Sequence, residues 1–214
     1  MLKFYVRTTL ERQLDSSYSQ IEYELLVDTE HKPIESFIKQ LEQISEYDSV
    51  LLEDDLILCK DFKNRIEAVI DKYPNKVINF FYHQDEYYQT REAREYSNNQ
   101  CTYYPKGISK LIAKEMKNFI KYSNQYSWIE NLALNKLHLT HIQYRPCLVQ
   151  HLDNGSLIQK HKIIRPRITP YFIDYLEELN ISYEDAYKPE NKQKLIDLMN
   201  KKFGKRGEIN GKRI

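Results

Sequence analysis

Short apolar runs alternate with amphipathic segments along residues 1–144 of the chain. The runs predict five strands, over residues 2–6, 23–27, 49–52, 76–81 and 140–144. The segments between them predict four helices, over residues 8–19, 33–44, 61–72 and 106–122, of which the first is polar and the second begins at Pro33. Alternation of this kind is typical of an α/β fold with a largely parallel sheet. Residues 84–100 are polar and aperiodic, which indicates a loop or an exposed helix.

Two further amphipathic segments follow nearer the C-terminus. One places Phe172, Ile173, Leu176 and Leu179 on a single helical face, and the other does the same with Leu195, Ile196, Leu198 and Met199. A helical region is therefore predicted after the α/β part of the chain.

Length and charge add little about partners on their own. The chain has 214 residues, for which one domain is the default, and its 32 basic and 31 acidic residues nearly cancel. The distribution is less even, because residues 201–214 carry six basic side chains against the single acid Glu208. A second basic group precedes the first C-terminal helix. It comprises Lys160, Lys162, Arg165 and Arg167.

The cysteines and the hydropathy pattern bear on location. Cys59, Cys101 and Cys147 are odd in number and show no C-x-x-C spacing, which argues against a disulfide framework or a structural zinc site. We expect reduced, mostly buried thiols. No apolar stretch approaches the roughly 20 residues that a membrane span needs, and the N-terminus lacks a signal-peptide pattern. A cytoplasmic protein, in a bacterium or a phage-infected host cell, is expected.

The third predicted strand ends in three adjacent carboxylates, Glu53, Asp54 and Asp55, which a second apolar run follows directly. Adjacent carboxylates repel one another, and burying an unpaired one costs several kcal/mol. In open α/β sheets ligands bind beyond the carboxyl ends of the strands. A divalent cation there would relieve the repulsion, and Mg²⁺ or Mn²⁺ prefers oxygen ligands. An exposed acidic turn, with Asp54 or Asp55 capping a helix, is the alternative.

The stretch VLLEDDLILCKDF, residues 50–62, resembles the metal-binding segment of nucleotide-sugar glycosyltransferases with the GT-A fold. The closest patterns have Glu-Asp-Asp in place of Asp-x-Asp, as in N-acetylglucosaminyltransferase I and the lipooligosaccharide glycosyltransferases of family 25. Some bacteriophage glycosyltransferases are also similar in size. The proline expected before Asp61 is replaced by Lys60.

Two later stretches agree with this resemblance in order and spacing. YRPCLVQHLDNGSLI, residues 144–158, is similar to the late segment of such enzymes, and CTYYPKGISKLIAKEM, residues 101–116, to the acceptor-side segment. The resemblance implies a single GT-A, Rossmann-like catalytic domain over residues 1–158 with a mostly parallel central sheet. Residues 159–214 would form a helical, basic C-terminal extension.

The resemblance also implies roles for the acidic residues and one histidine. Asp55 would contact a Mn²⁺ or Mg²⁺ ion directly, while Glu53 and Asp54 would hold the ribose or a metal-bound water of the donor. His151 would be the second protein ligand to the metal, since a neutral imidazole suits Mn²⁺. Without the resemblance, a satisfied histidine at the end of a strand is the favoured interpretation of His151.

The nucleotide-sugar would bind beside the first two strands. Arg7, Thr8 and Arg12 lie where GT-A enzymes receive the nucleotide, and an arginine can clamp a diphosphate or stack on a base. Asp28 ends the second strand, where family members place a residue that contacts base or ribose. The alternatives are ordinary surface arginines and a turn aspartate.

Glu130, beside the only tryptophan, Trp128, lies in the segment that carries the general base of inverting GT-A enzymes. An apolar site would raise its pKa towards the working pH. An aspartate or an acidic pair is commoner there in the family, so inversion and retention both stay open, and a glutamate that stabilises the start of a helix is the alternative.

The expected activity is metal-dependent transfer of a hexose from a nucleotide-sugar, such as a UDP-sugar, to an acceptor hydroxyl. The acceptor is either a hydroxymethylated DNA base of a bacteriophage or a cell-surface glycan or wall polymer. The basic C-terminal region would bind DNA or another polyanionic acceptor. Two different functions stay open: a non-catalytic binding module with an acidic patch, and a metal-dependent phosphotransferase that uses the same carboxylates.

Overall fold

A seven-stranded mixed sheet forms the centre of the protein. The computed structural model describes residues 1–9, 11–29, 32–82, 89–93, 99–152, 168–203, 208–209 and 212–213. The sheet strands are β1 (Leu2–Thr8), β2 (Tyr23–Val27), β3 (Asp48–Glu53), β5 (Val77–Asn79), β6 (Arg91–Ala93), β7 (Cys101–Tyr104) and β8 (His141–Gln143). Their spatial order is β2-β1-β3-β7-β5-β8-β6. All run in one direction except β7 and β6, which are antiparallel to their neighbours.

Two small two-stranded sheets accompany the central one. β4 (Leu56–Leu58) pairs antiparallel with β9 (Val149–His151), which brings the segment after β3 against a late part of the chain. Near the C-terminus, β10 (Glu208–Ile209) pairs antiparallel with β11 (Lys212–Arg213).

In the part of the chain that the structure describes, six α-helices flank the sheet. They are α1 (Pro33–Gln43), α2 (Phe62–Lys72), α3 (Ile108–Phe119), α4 (Tyr126–Lys136), α5 (Ile173–Glu178) and α6 (Pro189–Phe203). Pro33 occupies the first turn of α1, where its missing N–H is not needed. Gly107 precedes α3 with a φ of 82°, a left-handed conformation that glycine adopts without steric cost.

The alternation of side chains along β1 and β3 divides the core into two layers. Phe4, Val50 and Leu52 face a layer that contains α2, α5 and α6. Tyr5 and Leu51 face the opposite layer, which contains α1, α3 and α4. The helices of the C-terminal region thus pack on the same core as the α/β part, through buried residues such as Leu176 and Leu195.

The structure confirms the predicted α/β class and both C-terminal helices, and it corrects several elements. The predicted helix over residues 8–19 is wrong: β1 continues to Thr8, and the only helical turn in the described part of that range belongs to a short 3₁₀ helix, Ser16–Gln20. Long-range contacts shape this segment, since Ser17 Oγ accepts from the N–H of Leu58, 2.9 Å away. Residues 84–100, predicted as a loop or an exposed helix, contain β6 in their described part, and β4, β7 and β9 were not predicted.

The structure tests the prediction for the cysteines but not the one for most of the C-terminal basic residues. All three cysteines are free and buried, as predicted. The basic group at residues 160–167 lies outside the described residues, as do Lys205 and Arg206. Within the described part of the chain, none of the helices combines the length and the apolar character that crossing a bilayer requires.

Candidate metal centre

The carboxylate triplet lies at the carboxyl edge of the central sheet, where β1 and β3 end side by side. The two strands are parallel, and Arg7 is the register partner of Glu53. Asp54 and Asp55 form the turn between β3 and β4, and both are buried. The backbone N–H of Glu53 donates to the carbonyl of Gln100 at 2.9 Å, which ties the end of β3 to the start of β7. The triplet is therefore held in the fold, and the exposed acidic turn considered above is excluded.

His151 reaches the triplet through the small sheet. In the β4–β9 pair it is the register partner of Leu56, and the N–H of Leu152 donates to the carbonyl of Asp55 at 2.7 Å. As a result, Nε2 of His151 lies 3.3 Å from Oδ2 of Asp55. The ring of Phe81 stacks on the imidazole, with 6.3 Å between the ring centroids. The structure thus brings together two residues that only the family resemblance had paired.

Glu53, Asp55 and His151 offer one ligand atom each within 4.8 Å of one another. The side chains of Asp55 and His151 are 6% and 9% exposed. Oδ1 of Asp55 and Nδ1 of His151 are buried without a hydrogen-bond partner among the described residues. Buried polar atoms normally have partners, so these two atoms are available to an ion, a ligand or a water molecule. Two carboxylates and an imidazole are a donor set that could hold a divalent metal ion.

Arg12 occupies the opposite side of the aspartates. Its Nη1 lies 3.3 Å from Oδ1 of Asp54 and also donates a short hydrogen bond to Oδ2 of Asp55. Burial raises the pKa of Asp54, against the hydrogen bond from Thr8. Burial would also raise the pKa of Asp55, but His151 and Arg12 outweigh burial, and its pKa is lowered. His151 and Arg12 therefore favour the ionised form of Asp55.

Aromatic side chains hold Glu53 and Arg7 in place. Tyr126, in the first turn of α4, donates from its hydroxyl to Oε1 of Glu53 at 2.6 Å. The guanidinium of Arg7 lies 4.6 Å from the ring centroid of Phe37 and 4.7 Å from that of Tyr126. Its Nη1 lies 3.6 Å from Oε1 of Glu53. Burial would lower the pKa of Arg7, but Tyr126 and Glu53 together raise it. Both cations of this region thus face carboxylates.

Tyr18, Phe37 and Tyr126 belong to this site although the sequence did not single them out. Tyr18 donates a short hydrogen bond to the carbonyl of Glu53 from the 3₁₀ helix. The only available signal was the abundance of tyrosine, 18 residues in the chain, which does not say which of them lies at the site.

The remaining predicted site residues lie at different distances from the triplet. Thr8 is buried and hydrogen-bonds Asp54. Asp28 lies one strand further out, where its N–H donates to the carbonyl of Thr8 at 2.8 Å.

Glu130 is completely buried in α4, and its carboxylate accepts from the Tyr104 hydroxyl at 2.6 Å and from Nδ2 of Asn99 at 3.1 Å. Trp128 is 49% exposed. The proposed base role of Glu130 stays a prediction.

The geometry describes a site that could hold a divalent cation beside two arginines. This edge of the sheet combines three carboxylates, an imidazole and two guanidinium groups, an arrangement suited to a metal-bound phosphate ester. The α/β fold and this cluster are compatible with the GT-A fold. No protein-family model matches the chain, and no curated protein matches its sequence.

Proposed function

We propose that the protein is a metal-dependent glycosyltransferase that moves a hexose from a nucleotide-sugar, such as a UDP-sugar, to an acceptor hydroxyl. The observation that carries the proposal is the convergence of Glu53, Asp55 and His151 at the carboxyl edge of the sheet. Glu53 and Asp55 belong to a different motif of the GT-A resemblance from His151. The resemblance paired Asp55 with His151 at the metal and placed Glu53 on the ribose or a metal-bound water.

Glu53, Asp55 and His151 would hold the cation, and Asp54 would contact the donor ribose or a metal-bound water. When bound, a divalent ion would supply positive charge that offsets the charge developing on the diphosphate leaving group. Arg7 lies beside Glu53 with its Nε and Nη1 buried and not hydrogen-bonded among the described residues, so it can position the nucleotide from that side. Thr8 and Asp28, at adjoining strand ends, would line the nucleotide side of the site.

Glu130 is the proposed general base for the acceptor hydroxyl, if the reaction inverts configuration. It lies one helical turn after Tyr126, whose hydroxyl bonds Glu53, so the two functions would share α4. Because both oxygens of Glu130 accept hydrogen bonds, the base role requires Asn99 or Tyr104 to release the carboxylate when the acceptor binds. The acceptor itself is proposed as a hydroxymethylated DNA base or a cell-surface glycan or wall polymer.

A thermal-shift experiment with UDP-sugars, in the presence and absence of Mn²⁺, tests the proposal. We expect a UDP-sugar to raise the melting temperature only when Mn²⁺ is present, because ligands that bind the native state stabilise it. The Asp55→Asn variant, which should keep the fold, is the matched control and should show no joint stabilisation. Stabilisation by ATP and Mn²⁺ but by no sugar nucleotide would favour a phosphotransferase. No shift with any nucleotide would favour a non-catalytic binding module.

A further inference from the structure

Arg12 contacts the same oxygen that faces the candidate metal ligands. Its guanidinium bridges Oδ1 of Asp54 and Oδ2 of Asp55, and Nε2 of His151 lies 3.3 Å from that same Oδ2. The Arg12 side chain is 14% exposed, and those of Asp54 and Asp55 are 8% and 6% exposed. This is a sheltered ion pair in which water screens the charges weakly.

The charges of the site favour either the Arg12 guanidinium or a divalent metal ion beside the carboxylates, but not both together. The three carboxylates, counted as ionised, and the two arginines sum to a net charge of −1. Adding a divalent cation with both arginines in place would turn the sum to +1. Like charges at close range in a sheltered site repel strongly, so a metal ion bound to Asp55 and the adjacent guanidinium of Arg12 disfavour each other.

We propose that Arg12 is a resident counter-ion that occupies the carboxylate site before the metal and exchanges with it. This inference rests on the proposed metal site, and it adds how that site is kept stable and loaded. In the metal-free protein Arg12 offsets part of the negative charge of Asp54 and Asp55, two neighbouring buried carboxylates. A bound metal ion would offset this negative charge in place of Arg12 and release the guanidinium.

Arg12 precedes a 3₁₀ helix that is anchored by side-chain hydrogen bonds. The segment is anchored after Arg12, at the 3₁₀ helix, where Asp15 accepts from the N–H of Ser17 at 2.8 Å and Ser17 accepts from the N–H of Leu58. Residues 11–14 have no regular secondary structure, and Glu11 and Gln13 are exposed. Exchange with a metal ion therefore requires movement of the Arg12 side chain while the anchor stays in place.

The released guanidinium has a partner of suitable chemistry in the donor. A diphosphate carries negative charge next to the metal, and arginine can bind phosphate oxygens with two parallel hydrogen bonds. Exchange would make donor binding follow metal binding, because Arg12 becomes available for the diphosphate only after the metal has displaced it.

Mn²⁺ titrations of the metal-free protein, followed calorimetrically, test the exchange without any turnover. Arg12→Met keeps most of the side-chain length and removes the charge, so it should bind Mn²⁺ about tenfold more tightly than wild type. Arg12→Lys retains a positive charge and should stay close to wild type. Arg65→Met is the matched control, because Arg65 also pairs with a carboxylate, that of Glu177, at 2.5 Å, away from the triplet.

Each result of the titration supports or overturns the exchange. Equal or weaker Mn²⁺ binding by Arg12→Met overturns it while leaving the proposed function intact. Binding to Arg12→Met but not to wild type also overturns it, since Arg12 would then be a permanent substitute for metal. Absence of binding in every variant overturns both the exchange and the metal part of the proposed function.

A second measurement follows Arg12's segment directly and does not depend on the variant's stability. All three native cysteines are buried, so a Gln13→Cys protein can be labelled selectively with an environment-sensitive fluorophore. Addition of Mg²⁺ should change the fluorescence in a saturable manner, and the same label in an Asp55→Asn background should not respond. If calorimetry shows that the labelled protein binds Mg²⁺ but its fluorescence does not change, the exchange is overturned.

Discussion

Nε2 of His151 lies 3.3 Å from Oδ2 of Asp55, although the two residues belong to segments far apart in the chain. The contact depends on the β4–β9 pairing, which sets Leu56 opposite His151 and places the imidazole beside the turn that carries Asp55. A backbone hydrogen bond from Leu152 to Asp55 fixes the same arrangement. Metal binding should therefore depend on both side chains and not on the acidic triplet alone.

Replacing His151 by alanine should raise the dissociation constant for Mn²⁺ by at least roughly 10- to 100-fold, the loss usually seen when even an outer partner of a metal site is removed. An electron paramagnetic resonance titration of free Mn²⁺ measures this constant. His138→Asn is the control, because His138 is exposed and its φ of 53° suits asparagine. Unchanged Mn²⁺ affinity in His151→Ala would mean that His151 is a structural residue at the end of β9.

Much of this centre was predictable because its main signals are local. The apolar run of β3 leads into Glu53, Asp54 and Asp55, and the end of a strand in an α/β sheet faces the ligand crevice. His151 was predictable only through the motif that contains it. The same local reasoning predicted α1, α2 and α3 closely, since their apolar faces recur at helical spacing.

The rest depends on contacts between distant residues. Arg12 and Tyr18 are fixed by the triplet, and Ser17 is fixed by β4, so no helical period in residues 8–19 could have revealed their true conformation. Likewise, β7 enters the sheet antiparallel between β3 and β5, an order that hydropathy does not encode.

Tyr126→Phe should weaken Mn²⁺ binding by roughly 10- to 100-fold while leaving the fold unchanged. The substitution removes the hydroxyl that donates to Glu53 at 2.6 Å but keeps the ring, which packs 5.1 Å from the ring of Phe37. Glu53 then loses the donor that orients it. Calorimetric titration with Mn²⁺ gives the affinity, and Tyr122→Phe, at a tyrosine that is 63% exposed, is the control. Equal affinities for Tyr126→Phe and wild type would exclude this orienting role.

Deleting residues 204–214 should weaken DNA binding and flatten its dependence on salt, if the acceptor is a polyanion. The deletion removes four basic side chains, Lys205, Arg206, Lys212 and Arg213. For every basic side chain that no longer neutralises a phosphate, the salt slope should fall by about one, because fewer counterions are released. Binding of DNA and of a neutral oligosaccharide is measured between about 50 and 200 mM salt, the range over which such interactions are strongly screened. An unchanged slope would favour a neutral glycan acceptor.

The buried His141 should make the protein less stable in acid. Burial, helped by Arg91, lowers the pKa of His141 to about 3 in the folded protein, against about 6.5 in the unfolded chain. Because the pKa of His141 is lower in the folded protein than in the unfolded chain, its contribution to stability is fully present above the unfolded-state pKa. That contribution is lost as the pH falls towards the folded-state pKa. Between pH 6.5 and 4.5 the loss should be roughly 2–3 kcal/mol, at about 1.4 kcal/mol per pH unit.

Urea unfolding of wild type and His141→Gln across this pH range isolates that contribution, because every other titrating group is common to both proteins. The difference in unfolding free energy between wild type and His141→Gln should narrow as the pH falls. The pH profile of the unfolding free energy of the control, His138→Asn, should parallel that of wild type. Parallel profiles for His141→Gln and wild type would show that the histidine is charged and accommodated in the fold.

The Glu130→Gln variant tests the general base. The glutamine side chain can keep the hydrogen bonds that Glu130 makes with Asn99 and Tyr104 in its buried position. A glutamine can accept from Asn99 through its oxygen and donate to the rotatable Tyr104 hydroxyl through its nitrogen, so the fold should survive. If Glu130 is the base, the turnover number should fall by roughly 10²- to 10⁴-fold with donor affinity unchanged, since only proton acceptance is lost. Tyr104→Phe, which removes one hydrogen bond but keeps the carboxylate, is the control and should retain most of the turnover. A Glu130→Gln rate within a few-fold of wild type would make Glu130 a structural anchor of α4 and would direct the search for a base to another carboxylate or to a retaining mechanism.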